Sequence, residues 1–146
     1  MDNSKYDTLR LENQLCFPLY AASREIIKNY KPFLDELDLT YTQYITLMLL
    51  WENNSMRVKE IGEMLYLDSG TLTPLLKKLE GKGLITRARA LEDERNLNVT
   101  ITEAGEALRD RALDFPAKIA ATTGLSDEET ETLYNLLYKV LSAAKE

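Results

Sequence analysis

Cys16 is the only cysteine of the chain, and three tyrosines could give it a redox chemistry. A single cysteine cannot close a disulfide within its own chain, so it is either a small apolar side chain inside the protein or a reactive thiol. Tyr20 follows Cys16 by one helical turn. Tyr30 and Tyr41 could approach the sulfur from a second subunit. Because phenol hydroxyls stabilise a thiolate, the form that attacks a peroxide O–O bond, this set predicts a thiol that reacts with peroxides.

The product of such a reaction would be a sulfenic acid, which normally condenses with a second thiol. Since the chain has no second cysteine, the predicted end product is either a mixed disulfide with a small cellular thiol or an irreversibly over-oxidised acid. Aromatic and aliphatic surroundings would favour an organic hydroperoxide over hydrogen peroxide. A peroxidase is disfavoured because turnover needs efficient recycling, and neither a resolving cysteine nor a histidine is present. Without histidine, the usual zinc ligand sets and a Ser/His/Asp triad are excluded too, so we predict no enzyme, no metal and no cofactor.

A second group of residues suits a nucleic-acid ligand, although the net charge of −6 argues against one for the chain as a whole. The charges are unevenly distributed. Residues 57–95 carry eight basic and seven acidic side chains, a balance of +1, whereas residues 1–56 carry −3 and residues 96–146 carry −4. Any contact with DNA therefore belongs to the middle of the chain.

The apolar spacing in this middle region predicts a short helix, a tight turn, a second amphipathic helix and a hairpin. Val58, Ile61 and Leu65 mark the first helix. Leucines at i, i+3, i+4 and i+7 from Leu72 mark the second, which we expect to begin near Thr71. Residues 84–89 and 97–101 alternate as strands and are joined by residues 91–96, which predicts a two-stranded wing. This order is typical of a winged helix-turn-helix, whose second helix enters the major groove of DNA.

Small, hydroxylated and basic residues occupy the other face of that second helix, where phosphates and base edges would lie. Arg95, near the tip of the wing, could enter a narrow minor groove, with Asp93 holding its guanidinium in place. The predicted DNA contacts are Gly70, Thr71, Thr73, Pro74, Lys77, Lys78, Arg87, Asp93 and Arg95.

Long helices are predicted at both ends of the chain. The first runs from about Asp7 to Leu37, with a kink at Pro18, and carries two apolar stripes that a small monomer cannot cover. Thr40 and Gln43 form a capping box for the next helix. Thr102 caps a helix to about Thr122, and Ser126 begins a last one.

The sequence therefore predicts a single mainly α domain with a small β component, a winged helix-turn-helix over residues 1–146. Residues 7–37 and 103–146 would form dimerisation helices, and residues 56–101 the DNA-binding part. Since no run of about 18 apolar residues occurs and the N-terminus is polar, we expect a cytoplasmic protein without a membrane partner.

Residues 67–80, from Leu67-Asp68-Ser69-Gly70 to Leu79-Glu80, together with Asp93-Glu94-Arg95, closely resemble the MarR family of bacterial regulators. Residues 12–17, 19–20 and 39–41 are similar to its organic-hydroperoxide-resistance repressor subfamily, of the one-cysteine type. The resemblance covers about residues 6–110. It implies a homodimeric repressor on a pseudo-palindromic operator.

The same resemblance implies roles for individual residues. Ser69, Thr71 and Lys77 would contact DNA, with Asp93 and Arg95 in the wing. Cys16 would be the peroxide-reactive thiol, with Tyr30 and Tyr41 as hydrogen-bonding partners across the dimer and Tyr20 nearby. Oxidation would then release the operator.

Three alternatives remain open at the level of sequence. A MarR-type repressor could respond to a small aromatic ligand, with Cys16 incidental. It could be a broader regulator of oxidative stress or virulence. A protein-interaction module using the acidic surface is a third possibility, and steeply salt-dependent binding to DNA would exclude it.

Overall fold

A computed structural model describes residues 2–90 and 93–145, except for the side chains of residues 89, 90 and 93–96. This part of the chain is mainly helical and contains one small antiparallel sheet, which confirms the predicted fold class. Two short 3-10 helices, Ser4–Leu9 and Leu11–Asn13, come first. The remaining elements are α1 Cys16–Glu36, α2 Tyr41–Asn53, β1 Ser55–Arg57, α3 Val58–Leu65, α4 Ser69–Gly81, β2 Ile85–Ala90, β3 Asp93–Ile101, α5 Glu103–Arg111, α6 Phe115–Ala120 and α7 Asp127–Ala144.

The residues form two compact units. A terminal unit comprises Met1–Asn29 and Phe115–Glu146, and a central unit comprises Tyr30–Asp114. None of the helices in the described part of the chain is both long enough and apolar enough to cross a membrane.

The core of the central unit is built from α2, α3, α4 and the sheet. Leu72, Leu76 and Leu79, on one face of α4, are almost completely buried, as their helical spacing predicts. The other large side chains buried to this degree are Tyr44, Leu47, Leu50, Ile61, Ile85 and Val99. Because this stripe is buried, the opposite face of α4 lies at the surface of the unit.

Helix starts follow the capping residues closely. The Gln43 amide donates to Thr40 Oγ1 at 3.3 Å, and the Thr40 amide donates to Gln43 Oε1 at 3.1 Å, which completes the predicted capping box of α2. Thr102 caps α5 and Ser126 caps α7, also as predicted.

The first helix differs from the prediction. It begins at Cys16 instead of Asp7, because the preceding residues form 3-10 turns held by Gln14, whose side-chain amide donates to the carbonyls of Thr8 and Arg10. Pro18 therefore lies in the first turn, where amides have no acceptor within the helix. The predicted kink at Pro18 was wrong, because no interior hydrogen bond is lost there.

The predicted two-stranded wing is present as the antiparallel pair β2 and β3. The sheet also has a third strand, in the order β1-β3-β2, which the sequence pattern did not predict. Strand β1 pairs with β3, with Met56 opposite Val99, and its three residues are too few for an alternating pattern to appear in the sequence. Strand β3 begins at Asp93, inside the predicted loop. Of that loop, Leu91 and Glu92 lie outside the described residues.

Two other helix boundaries were also misplaced. Asp68 accepts a hydrogen bond from the Thr71 amide at 2.8 Å, so α4 begins at Ser69 and Pro74 lies inside it. The proline nitrogen has no hydrogen to donate to the carbonyl of Gly70, so that carbonyl lacks its usual hydrogen bond from the residue four positions later. The predicted helix from Thr102 to about Thr122 is divided into α5 and α6.

Candidate nucleic-acid interface and redox site

The outer face of α4 is polar and open. The residues predicted to contact DNA on this helix are all exposed: Ser69, Gly70, Thr71, Thr73, Pro74, Lys77 and Lys78. Because the leucine stripe anchors the other face, these side chains are presented together on a rigid helix. The small and hydroxylated ones lie in its first half and the lysines near its end, an arrangement that can contact both base edges and phosphates.

Arg87 is held inside the central unit. Its Nη2 atom lies 3.0 Å from Glu80 Oε1, its side chain is only 18% exposed, and its Nε atom is buried without a hydrogen-bond partner. The hydrogen bond from Arg87 lowers the pKa of the Glu80 carboxyl, which keeps the pair charged. Arg87 thus joins strand β2 to the end of α4. The predicted contact between Arg87 and DNA stays a prediction.

Asp93 and Arg95 belong to β3 by their backbones, and their side chains lie outside the described part of the structure. Their predicted roles in the wing therefore stay predictions.

Cys16 is exposed, so it does not act as a buried apolar side chain within the chain. It is the first residue of α1, and the amides of a first helical turn have no acceptors within the helix. A groove of about 700 Å³ lies beside it in the terminal unit, lined by Arg10, Leu11, Glu12, Gln14, Phe17 and Pro18. Residues on both sides of Cys16 in the sequence therefore line a space that an organic molecule can enter.

Tyr20 lies one turn after Cys16 on α1 and is more than half exposed. The Arg24 guanidinium lies 5.3 Å from the centre of the Tyr20 ring, and its Nη1 atom donates to the Tyr20 hydroxyl at 3.2 Å. The phenol oxygen is thus fixed beside a positive charge.

Tyr30 and Tyr41, which were predicted to form hydrogen bonds with the Cys16 thiol, lie close together in the central unit. Their ring centres are 5.0 Å apart, and Tyr44 lies 5.7 Å from Tyr30. Trp51 extends this aromatic cluster from Tyr44 at 6.2 Å. Tyr44 was not among the predicted site residues, although its spacing of three from Tyr41 places both rings on one face of α2.

Burial raises the pKa of the phenols in this aromatic cluster. Desolvation, followed by the effects of Tyr41 and Tyr44, raises the pKa of Tyr30 to about 12. Desolvation also raises the pKa of Tyr41 and that of Tyr44. At neutral pH the hydroxyls are hydrogen-bond donors, which is the property needed to stabilise an anion.

Tyr30→Phe is expected to reduce the loss of stability at alkaline pH. The phenol ionises near pH 10 in an unfolded chain but at about 12 in the folded protein, so the free energy of unfolding falls as pH rises between these values. Phenylalanine cannot ionise, and this contribution to the slope should disappear. Denaturant unfolding from about pH 9 to 12 measures it, with Tyr66→Phe, at the exposed end of α3, as control. An identical slope in wild type and Tyr30→Phe would contradict the raised pKa.

The terminal unit exposes an unusual number of large apolar and aromatic side chains. They occur before α1, along α1 as far as Ile27, just before α7 and along α7. They are Tyr6, Leu9, Leu11, Leu15, Phe17, Tyr20, Ile27, Leu125, Leu133, Tyr134, Leu136, Leu137, Tyr138 and Val140. Apolar exposure of this extent marks a surface that another molecule covers.

Comparison with known proteins places these features in context. Residues 28–111 match a family model described as transcriptional regulator SarA/Rot. The chain is 52% identical over 141 residues to the organic hydroperoxide resistance transcriptional regulator of Bacillus subtilis strain 168, covering 97% of this chain and 95% of the relative. It is also 44% identical over 132 residues to the HTH-type transcriptional regulator SarZ of Staphylococcus aureus, covering 90% and 89%.

Solved structures of AbfR, a protein of Staphylococcus epidermidis, are similar along almost the whole chain. Reduced AbfR bound to DNA aligns with a TM-score of 0.78 at 36% identity, covering 97% of this chain and 99% of that one. Overoxidized AbfR bound to DNA aligns with the same TM-score at 37% identity and the same coverage.

Proposed function

Because the chain belongs to the MarR-type SarA/Rot family of transcriptional regulators, and within it to the organic hydroperoxide resistance regulators, we propose that it is a DNA-binding repressor which releases its operator when Cys16 is oxidised. It is a regulator and not an enzyme. It acts in the cytoplasm, as expected of a protein that binds chromosomal DNA. The observation that carries the proposal is the exposed single thiol in a chain so similar to a hydroperoxide regulator.

DNA binding is assigned to the outer face of α4 and to the wing. The α4 helix enters the major groove, with Ser69, Thr71 and Lys77 in contact, while Arg95 of the wing enters the minor groove beside Asp93. The similar AbfR is bound to DNA in its reduced form, which supports DNA as the partner of this chain. Residues 56–101 are therefore the DNA-binding part of the protein.

Lys77→Ala is expected to weaken binding about equally on specific and unrelated DNA. Losing one phosphate contact should lower the slope of log affinity against log salt by about 1 for each reading helix. Fluorescence anisotropy at several salt concentrations measures it. The control is Lys28→Ala, which removes an exposed lysine paired with Glu25 on α1. Equal salt slopes for Lys77→Ala and wild type would show that Lys77 makes no phosphate contact.

The exposed apolar surface of the terminal unit supports a homodimer, with a second copy as the covering molecule. A two-fold dimer also suits a pseudo-palindromic operator, because each reading helix then meets one half-site. In this dimer, Tyr30 and Tyr41 of the second subunit donate hydrogen bonds to the Cys16 thiolate, with Tyr20 nearby.

The effector reaction is a two-electron oxidation of sulfur. The Cys16 thiolate attacks the outer oxygen of an organic hydroperoxide, an S–O bond forms, and the O–O bond breaks. The alkoxide that leaves takes up a proton and becomes an alcohol. A small thiol then attacks the sulfenic sulfur, so that an S–S bond forms and the S–O bond breaks with loss of water.

We assign operator release to the mixed disulfide and not to the over-oxidised acid. Overoxidized AbfR is found bound to DNA, which supports the view that added negative charge alone leaves such a regulator in its binding form. A mixed disulfide attaches a small-thiol molecule to the Cys16 sulfur. It therefore adds far more bulk at the proposed subunit boundary. Bulk at that place separates the tyrosine contacts and moves the two reading helices out of register with the operator.

The test is a binding assay on the DNA upstream of the chain's own gene, with and without organic hydroperoxide and a small thiol. We expect tight binding by the reduced protein and release after treatment with both reagents. Binding that is unaffected by the treatment would contradict the sensor proposal. Weak binding, equal for all sequences, would contradict the repressor proposal.

A further inference from the structure

Lys82 connects the end of the reading helix to the start of the helix that carries Tyr41. It is the residue that directly follows α4. Its ammonium group donates to the backbone carbonyl of Asp38 and, at 3.1 Å, to the side-chain oxygen of Gln43. Asp38 lies in the turn between α1 and α2, and Gln43 lies in the first turn of α2.

The Gln43 oxygen is shared between two elements. It accepts from the Thr40 amide as half of the α2 capping box, and it accepts from Lys82 at the end of α4. The Gln43 side chain is 3% exposed, so water does not readily replace either donor. Tyr41 is the first residue of α2, directly after the capping residue Thr40 and two residues before Gln43. A single buried oxygen therefore joins the position of Tyr41 to the end of α4.

The Lys82 ammonium group is held by these two neutral oxygens and not by the nearby Asp38 carboxylate. Asp38 Oδ2 lies 3.6 Å from the ammonium group, but the Asp38 side chain is 93% exposed, and exposed ion pairs contribute little. Asp38 adopts a left-handed conformation with φ of 54°, which turns the chain sharply between α1 and α2. Two oxygens, the Asp38 carbonyl and Gln43 Oε1, thus hold the Lys82 side chain.

We propose that Lys82 is a positioning residue that transmits a change at Tyr41 to the reading helix. The proposal rests on the proposed function, in which Tyr41 responds to oxidation of Cys16. A shift of the first turn of α2 moves Gln43, and with it the hydrogen-bonded Lys82 and the end of α4. Coupling of this kind is reciprocal, so DNA bound to α4 also changes the surroundings of Tyr41.

The test is Lys82→Met, which keeps the length of the side chain and removes its donors. The measured quantity is the operator Kd after oxidation divided by the Kd before it. We expect this ratio to fall about 10-fold, within the usual range of coupling between sites, while Cys16 is oxidised at the wild-type rate. Lys82→Arg keeps a cationic donor and should retain most of the ratio. Lys31→Met, which removes an exposed lysine paired with Asp35, is the matched control.

A second readout does not depend on peroxide. In protein labelled with 3-fluorotyrosine, the Tyr41 signal, assigned with Tyr41→Phe, should shift when operator DNA binds and should not shift in Lys82→Met. If Lys82→Met does not fold, Lys82→Gln, which keeps amide donors of shorter reach, takes its place and should reduce both responses.

The two proposals fail differently. A wild-type ratio and a wild-type fluorine response in Lys82→Met would overturn the role of Lys82, and so would a loss of thermal stability with both responses intact. If the wild type keeps its operator after oxidation but its Tyr41 signal responds to DNA only when Lys82 is present, the sensor proposal fails and the coupling stands.

Discussion

Cys16→Ser is expected to bind operator DNA as tightly as the wild type and to remain bound after treatment with organic hydroperoxide and a small thiol. Serine replaces one atom at an exposed position, so the fold and the reading helix should be unaffected. Its hydroxyl does not attack the peroxide bond, because an alcohol is not ionised at neutral pH. The wild type should lose about 100-fold in operator affinity under the same treatment, near the upper end of ordinary coupling between sites.

Anisotropy titrations of both proteins, before and after oxidation, measure this difference. Lys28→Ala, a change at an exposed position of α1 that leaves the thiol intact, should respond like the wild type. If Cys16→Ser still releases its operator, the effector acts elsewhere, and a repressor that responds to a small aromatic ligand becomes the better description.

Gly105→Ala is expected to destabilise the protein by about 3 kcal/mol, at the upper end of the effect of overpacking. A Cβ atom at this position of α5 would lie 2.3 Å from the carbonyl oxygen of Leu84 and 2.8 Å from Cγ1 of Ile101. The Leu84 backbone is held by hydrogen bonds at both its amide and its carbonyl, so it cannot move away cheaply. Movement of α5 would also disturb the Gly105 carbonyl, which accepts from Trp51 Nε1 at 3.0 Å.

Thermal unfolding provides the measurement, and a loss of this size should lower Tm by roughly 10 °C for a protein of this length. Gly81→Ala is the control, because a Cβ atom there meets nothing within 4 Å and alanine is the better helix former. We expect Gly81→Ala to have an unchanged or slightly higher Tm. Equal Tm values for the two variants would contradict the close contact at Gly105.

The elements with a strong local signal could be predicted from the sequence. The leucines of α4 repeat with helical spacing, and Thr40, Thr102 and Ser126 stand where capping residues begin α2, α5 and α7. The start of α1 could not be predicted in this way, because the apolar pattern continues through residues that form 3-10 turns. Strand β1 forms because it pairs with β3, and a segment of three residues has no sequence pattern that predicts such a pairing.

The residue types of the candidate site could be predicted from the sequence. The contacts of these residues could be predicted less fully. Cys16 is exposed, and Tyr30 and Tyr41 lie together, but their contact with a thiol in a second subunit stays a prediction. Arg87 was predicted to bind DNA from its charge and position in the wing. Its partner Glu80 lies on another element, so only the three-dimensional structure reveals the pair. The same holds for Lys82, whose acceptors lie about 40 residues earlier in the chain.

In the proposed mechanism, a mixed disulfide on Cys16 causes the protein to release its operator. The most direct test follows intact-chain mass and operator occupancy in the same sample while an organic hydroperoxide is added in the presence of a small thiol. We expect operator release to rise in step with the fraction of chains that carry the thiol adduct on Cys16. Release while Cys16 is still a free thiol, or full modification with the operator still bound, would contradict it.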